Sequence, residues 1–350
     1  MKKERAGIFI SLALMAALLA GCESVVAEAR ASGAEKQAAD FMDVPKTAAI
    51  GQRTDGDAVV PNGKLIYIIT PAAEDLAVKA EADMAETEAK RLGYKTKAVS
   101  HDGDPAKQAD LINAAITEGA SAIILDSAEA STGTDAVKIA MGAGIPTFCI
   151  GREGSAQSAA VAHVVSNHDQ GAKLVGECFA EAMGRKGEYA ELTGAVSDAN
   201  AVSRSDAYHE VLDPYAAMTM AAQESVSGGQ QEAFEKTKII LQNHPNIKGI
   251  ICGKDAMAIG AVTAIQAAGL EGKVIVAGYG GSDAARDQVI TGNMICTCLE
   301  PFAECAKMAV QQADTYISTG VMESEEKQMI DCTLITPENA GKLSGMIVAE

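Results

Sequence analysis

The chain has 350 residues, 48% hydrophobic but only 4% aromatic and without Trp, and its 47 acidic against 29 basic side chains give a formal net charge of −18. Such an excess of negative charge is repelled by a phosphate backbone, so no nucleic-acid partner is expected. Length and apolar content are enough for two hydrophobic cores.

The first residues set the compartment. Lys2, Lys3 and Arg5 bracket the start of an apolar run from Ala6 to Ala20, the order of an export signal, and the run is short for a membrane span. It ends in Leu19-Ala20-Gly21-Cys22, the lipobox of bacterial lipoproteins. Small residues there fit the peptidase, and cleavage leaves Cys22 as an acylated N-terminus. Residues 1–21 are thus expected to be a removed signal peptide, and residues 22–63, which lack a sustained period, a lipidated tether. The mature chain, with a formal charge of about −20, is expected to be exported and lipid-anchored at the outer face of the cell membrane or in the periplasm.

From Leu65 one theme repeats: a short apolar strand, a polar turn, an amphipathic helix. A strand at Leu65–Thr70 precedes a helix over Leu76–Leu92, Lys95–Val99 precedes Pro105–Glu118, and Ala122–Asp126 precedes Thr132–Ala143. Strands at Thr147–Ile150 and Val161–Ser166 lead to a helix over Gln170–Met183. Strands at Tyr189–Leu192 and Met218–Gln223 lead to Gln231–Asn243, Gly249–Cys252 leads to Ala256–Ala268, and Val274–Ala277 and Met294–Leu299 lead to Ala303–Thr319. Gly93 and Gly269 stand where left-handed helix caps are needed. Nearly continuous apolar strands that alternate with helices mean parallel sheets covered on both faces. This many strands exceed one ordinary sheet, so the fold class is α/β with two doubly wound parallel-sheet domains. Ligands of such sheets bind beyond the carboxyl ends of the strands, here in a cleft between the domains.

Enzymatic and metal chemistry find little support. Beyond Cys22, cysteines such as Cys149, Cys252, Cys296 and Cys298 lie inside apolar strand-like runs without C-x-x-C or Cys/His ligand spacing, which suits buried thiols. Cys296 and Cys298, two apart, share one strand face. No G-x-S-x-G, Walker loop, H-E-x-x-H or complete G-x-G-x-x-G is present, and His101, His163, His168, His209 and His244 are scattered. Neither an enzyme, a metal nor a cofactor is expected.

Six segments in order carry a resemblance: AEADMAETEAKRLGY, ADLINAAITEGASAIIL, AVKIAMGAGIPTFCIGRE, VVSNHDQGAKLVGE, HPNIKGIICGKDAMAIGAVTAIQAAG and VIVAGYGGSDAARDQVITGNMICTCLEPF. Over about residues 64–335 the chain resembles the ribose-type periplasmic binding proteins, the type I substrate-binding proteins of sugar ABC importers. The resemblance implies a two-lobe fold with a three-strand hinge whose crossovers fall near Ser166, Glu300 and Asp331. The first lobe would be 64–166 with 301–331, and the second 167–300 with 332–350. It also implies a monomer that binds a small polar ligand such as a sugar or polyol and delivers it to ABC permease subunits, held at the membrane through Cys22. The segment TGAVSDANAVSRSDAYHEV resembles the small-sugar and polyol branch. It would turn Asp198, Asn200 and Arg204 into the cleft, although Asp198 or Asn200 could equally serve as a helix cap.

The departures bear on the ligand. Where the family stacks two aromatic residues on a sugar, this chain has Ala77 and Val78. Its Asp-Arg pair is Gly151-Arg152, an Asn is Lys254, the Asp of a turn is Gly280 beside Tyr279, and the hinge Gln is Glu300. Asp75, Asp126, Arg152, Arg204, Lys254 and Glu300 would gather near the cleft. Such a set suits a ligand with its own charge, such as a sugar acid, an amino sugar or a phosphorylated polyol, or else the charges pair across the cleft. Two other outputs share this fold. A gene regulator would need a helix-turn-helix headpiece where the lipobox and acidic tether stand. A lipoprotein presenting ligand to a sensor kinase or chemoreceptor, or a binder of a charged non-sugar molecule, remains an alternative.

Overall fold

A computed structural model describes residues 64–72, 76–151, 160–227, 229–322 and 324–343. Cys22 with its signal and tether segments, Asp75 and Arg152 lie outside these described residues.

Strand β1 (Leu65–Thr70) is buried along its last five residues, as a strand covered on both faces must be. Around it run β2 (Lys95–Ser100), β3 (Ala122–Asp126), β4 (Thr147–Ile150), β5 (Ala162–Ser166) and β11 (Lys327–Ile330), all parallel, in the order β2-β1-β3-β4-β5-β11. The two-residue alternation of β1 sends Ile66 and Ile68 to one core, with Ala85 and Ala89 of α1 (Leu76–Arg91) and Ala306 and Val310 of α9 (Phe302–Thr319). Tyr67 and Ile69 go to the other, with Ile112 of α2 (Pro105–Thr117) and Val137 of α3 (Ala130–Gly142). Each Ile or Leu buried in these layers contributes about 1.5–3 kcal/mol.

The second sheet has the parallel order β7-β6-β8-β9, from β6 (Gly187–Thr193), β7 (Met218–Ser225), β8 (Ile247–Cys252) and β9 (Ile275–Ala277). Bridges from Ala277 to Cys296 and from Gly280 to Leu299 carry it on to β10 (Thr297–Leu299), which pairs antiparallel with β12 (Thr333–Ile335). One face is covered by α4 (His168–Ala182) and α5 (Ala199–Leu212), the other by α6 (Gly229–Asn243), α7 (Asp255–Ala267) and α8 (Asp283–Ile290). Helix α4 lies flat on β8 because Gly249 has no side chain: a Cβ there would stand 2.6 Å from the Phe179 ring.

The α/β architecture expected from the sequence is the one found. Gly93 and Gly269 take positive φ, and each cap closes the helix with a six-residue bond, from Tyr94 N–H to Ala89 and from Leu270 N–H to Ile265. Helix α8 and strands β11 and β12 were not expected. The residues of β11, KQMI, alternate between exposed and half-buried at a sheet edge, so no apolar period marks them. Cys296 and Cys298 join one core, and the described cysteines are free thiols, all buried except the half-buried Cys178.

The chain leaves the first sheet after Ser166, the last residue of β5, and returns after Glu300. It leaves again at Asp331, between β11 and β12. Both sheets belong to one unit, Ala58–Glu350.

Candidate functional site

In each sheet the strand order reverses once, between β1 and β3 and between β6 and β8, and loops that diverge at such a switch point leave a crevice. Pro71 after β1, Asp126 at the end of β3, Asp198 after β6 and Lys254 after β8 all line one cleft of ≈ 700 Å³. The two crevices therefore open into the same space.

Asp198 does two things there. It caps α5, its carboxylate accepting from the amides of Asn200 at 3.0 Å and Ala201 at 3.4 Å, and with Asn200 it lines the cleft. Further along α5, Arg204 is only 3% exposed, and its guanidinium lies 5.1 Å from the centroid of the Tyr279 ring, a cation–π contact. Tyr279 is itself buried and lines the cleft. Lys254 stands at the N-cap of α7 without a side-chain cap bond. Its ammonium is more than half exposed and lies 3.9 Å from the Asp198 carboxylate, a solvated pair of small energy.

Two carboxylates occupy space that glycines leave open. At Gly151, where the resembled family carries an acid, φ is +63° and a Cβ would stand 2.6 Å from Cγ of Asp126. The acid at this place in the cleft comes from β3 instead. Asp126 is held by buried His101, whose Nε2–H donates to the Asp126 carbonyl at 2.8 Å while Nδ1 accepts from the Gly103 amide at 3.0 Å, an arrangement that assigns the proton to Nε2. At Gly280, φ is +135° and a Cβ would stand 3.2 Å from Oδ2 of Asp255. Burial pushes the Asp255 carboxyl up to about 6, against the lowering effect of the Thr297 hydroxyl at 2.5 Å and of the Ser282 amide and hydroxyl at 2.7 and 2.8 Å.

Glu300 meets a residue that the sequence reading left aside. Nδ1 of His168, the first residue of α4, lies 3.0 Å from Oε1 of Glu300, both side chains being buried. A carboxylate at that distance requires Nδ1 to carry the proton. The Arg204 guanidinium and the Tyr279 hydroxyl, each 3.4 Å from the same nitrogen, are then its packing neighbours. Burial raises the Glu300 carboxyl, but the bond from His168 and the charges of His168, Arg204 and Lys254 outweigh it and hold the group below the ordinary carboxylate range. The signal that could have found His168 is its place, two residues after Ser166.

Ser166 is buried and pairs with Ile330, and Asp331 accepts from Asn167 Nδ2 at 2.8 Å. Both stand at crossovers rather than in the wall of the cleft, while Ala77 and Val78 line it. Asp126, Asp198, Asn200, Arg204, Lys254, Tyr279 and Glu300 are thus brought together, and Asp75 and Arg152 lie outside the described residues. The gathered charges largely face one another: Glu300 against His168 and Arg204, Lys254 against Asp198.

Residues 66–320 match the model of the periplasmic binding protein domain. The D-apiose import binding protein of Paraburkholderia graminis is 47% identical over 279 residues, which span 80% of this chain and 89% of the relative. The D-apiose import binding protein of Actinobacillus succinogenes is 47% identical over 287 residues, 82% and 92% of the two chains. Among solved structures, a periplasmic solute binding protein of an ABC transporter from Actinobacillus succinogenes with bound D-allose superposes with a TM-score of 0.75 at 26% identity, covering 80% of this chain and 99% of that one.

Proposed function

The chain belongs to the periplasmic binding protein family, and we propose that it is the extracytoplasmic binding component of an ABC importer for a small uncharged sugar or polyol, with D-apiose as the first ligand to try. One observation carries the choice: the switch-point crevices of both sheets open into a single cleft in which the buried Glu300 carboxylate is already paired with His168. A ligand with its own charge would have to compete with that pair. An uncharged polyhydroxyl ligand can bond to it as it stands.

In this reading the protein is a binder rather than an enzyme. The lobes are 64–166 with 301–331 and 167–300 with 332–350, and they close about Ser166, Glu300 and Asp331 as hinge residues. Asp126, Asp198, Asn200, Arg204, Lys254, Tyr279 and Glu300 contact the ligand, joined by Asp75 and Arg152. The protein acts as a monomer, docks on the permease subunits, and is tethered by lipid at Cys22.

A thermal-shift panel tests the function directly, because a ligand bound only by the folded state adds about 2.7 kcal/mol at a hundredfold excess over Kd. The panel holds D-apiose, D-ribose, D-allose, myo-inositol, their sugar acids, amino sugars and nucleosides. A shift with one or more of the four uncharged compounds is expected. Shifts confined to nucleosides, or to the acids, would overturn the reading.

A further inference from the structure

The resemblance to sugar-binding proteins gave a part to Glu300 and none to His168. Glu300 lines the cleft, and His168 occupies its Oε1. No described donor takes Oε2, so this oxygen is left to accept from a ligand. The groups facing Glu300 and His168 come from seven elements: His168 from the start of α4, Arg204 from α5, Lys254 and Asp255 from the start of α7, Tyr279 after β9, Cys298 from β10, Cys305 from α9, and Cys332 before β12, whose Sγ lies 3.4 Å from the Tyr279 hydroxyl. Of these, His168 alone meets the carboxylate at hydrogen-bond distance. Its own Nε2 is buried without a partner. The ring is therefore committed to Glu300 through one nitrogen.

We propose that His168 is the positioning residue for ligand discrimination in this cleft: it fixes the Glu300 carboxylate and keeps it anionic, so that Oε2 accepts a sugar hydroxyl and repels a carboxylate ligand. The inference rests on the proposed sugar-binding function for its ligand, but not for its first measurement. If the imidazole is removed, burial is no longer opposed by the nearest donor, and the Glu300 carboxyl protonates at higher pH. Asn at position 168 is the informative replacement, because its amide nitrogen falls near Nδ1 and can still donate to Oε1, while the orphaned Nε2 disappears.

The first measurement is carbon NMR titration of the Glu300 carboxyl, assigned with Glu300→Gln, in the wild type, His168→Ala and His168→Asn. His168→Ala should move the titration to higher pH, and His168→Asn should move it less. An unmoved titration in a folded His168→Ala protein overturns the proposal whether or not any sugar binds. If His168→Ala does not fold, His168→Asn against His168→Gln, whose amide cannot reach the same place, gives the same comparison.

The second measurement is calorimetric binding of D-apiose and of its aldonic acid between pH 5 and 8. The wild type should prefer the sugar by about a hundredfold or more, with affinity for it flat across the range. In His168→Ala the preference should shrink by about tenfold or more and the sugar affinity should fall with falling pH, whereas His168→Asn should keep both within about threefold. Equal losses for sugar and acid at every pH mean a structural role only and overturn the proposal. Wild-type protein that binds neither compound, together with a Glu300 titration that moves as expected, would sink the proposed ligand and leave the positioning role standing.

Discussion

His168 and Glu300 meet at 3.0 Å, and each stands where the chain has just crossed between the two sheets, one opening α4 after β5 and the other following β10 ahead of α9. The contact ties two crossovers together through a buried charge-assisted bond. A buried pair of this kind is costly to break from one side only. Glu300→Ala, which leaves His168 and Arg204 facing an empty place, should destabilise the protein by about 3–5 kcal/mol in urea unfolding. Glu300→Gln, whose amide oxygen can still accept from His168, should cost about 1–2 kcal/mol. Equal losses for the two variants would show that volume rather than charge pairing is what Glu300 supplies.

Asp255 makes stability depend on pH in an unusual direction. Its carboxyl is raised to about 6, so between an ordinary value of about 4 and about 6 the folded state binds more protons than the unfolded state. The group therefore costs stability on the order of 3 kcal/mol above pH 6, and that cost is relieved as pH falls toward about 4. Glu300 works the other way: its carboxyl is lowered, its contribution is complete above the unfolded value of about 4.3, and it is lost as pH falls through the folded value. Asp255→Asn should remove the relief, so that urea midpoints of the variant stay flat or fall from pH 6 to 4 where those of the wild type rise relative to it. Parallel curves for the two proteins across that window would exclude Asp255 as the source.

Arg204 and Lys254 carry the same charge but should respond differently to substitution. Arg204 is buried against the Tyr279 ring, and a Lys there keeps the charge while losing the planar stack. Arg204→Lys is expected to weaken D-apiose binding by about tenfold or more, a loss of about 1.4 kcal/mol. Lys254 is more than half exposed beside Asp198, so Lys254→Asn, which keeps an uncharged donor for a sugar hydroxyl, should change stability by less than about 0.5 kcal/mol and D-apiose affinity by less than about threefold. A tenfold loss on Lys254→Asn that fades in high salt would instead mean an anionic ligand held by the ammonium.

Lipid attachment is tested in a bacterial host fed labelled palmitate. The full-length protein should take up label, and Cys22→Ser should not. Label retained by Cys22→Ser would place the acyl chain elsewhere or remove the anchor from the proposal.

The sequence by itself determined the layered architecture. Runs such as Ala122–Asp126, apolar up to the final Asp and buried throughout, can be satisfied only between two layers of helices, and the strand–helix alternation leaves parallel pairing as the connection. The resemblance of its segments to the sugar-binding family, rather than any local pattern, singled out Asp126, Asp198, Arg204, Lys254 and Glu300, which do line the cleft. Where the signal was weak, as in the half-exposed edge strand KQMI, the element went unread.

Only the tertiary structure decided how those charges are matched. Periodicity reports whether a position is buried, not which distant side chain lies opposite it. Nothing in the chain's local pattern says that Gly151 leaves its place to the Asp126 carboxylate, that Gly280 leaves its place to Asp255, or that the imidazole after the first crossover reaches the carboxylate at the second. The two glycine places are set by which strands lie side by side within each sheet, and the His168–Glu300 contact by the meeting of two crossovers. The packing pairs Glu300 with His168 and sets Lys254 beside Asp198, and this supports the proposal of an uncharged ligand over the charged one that the list of charges suggested.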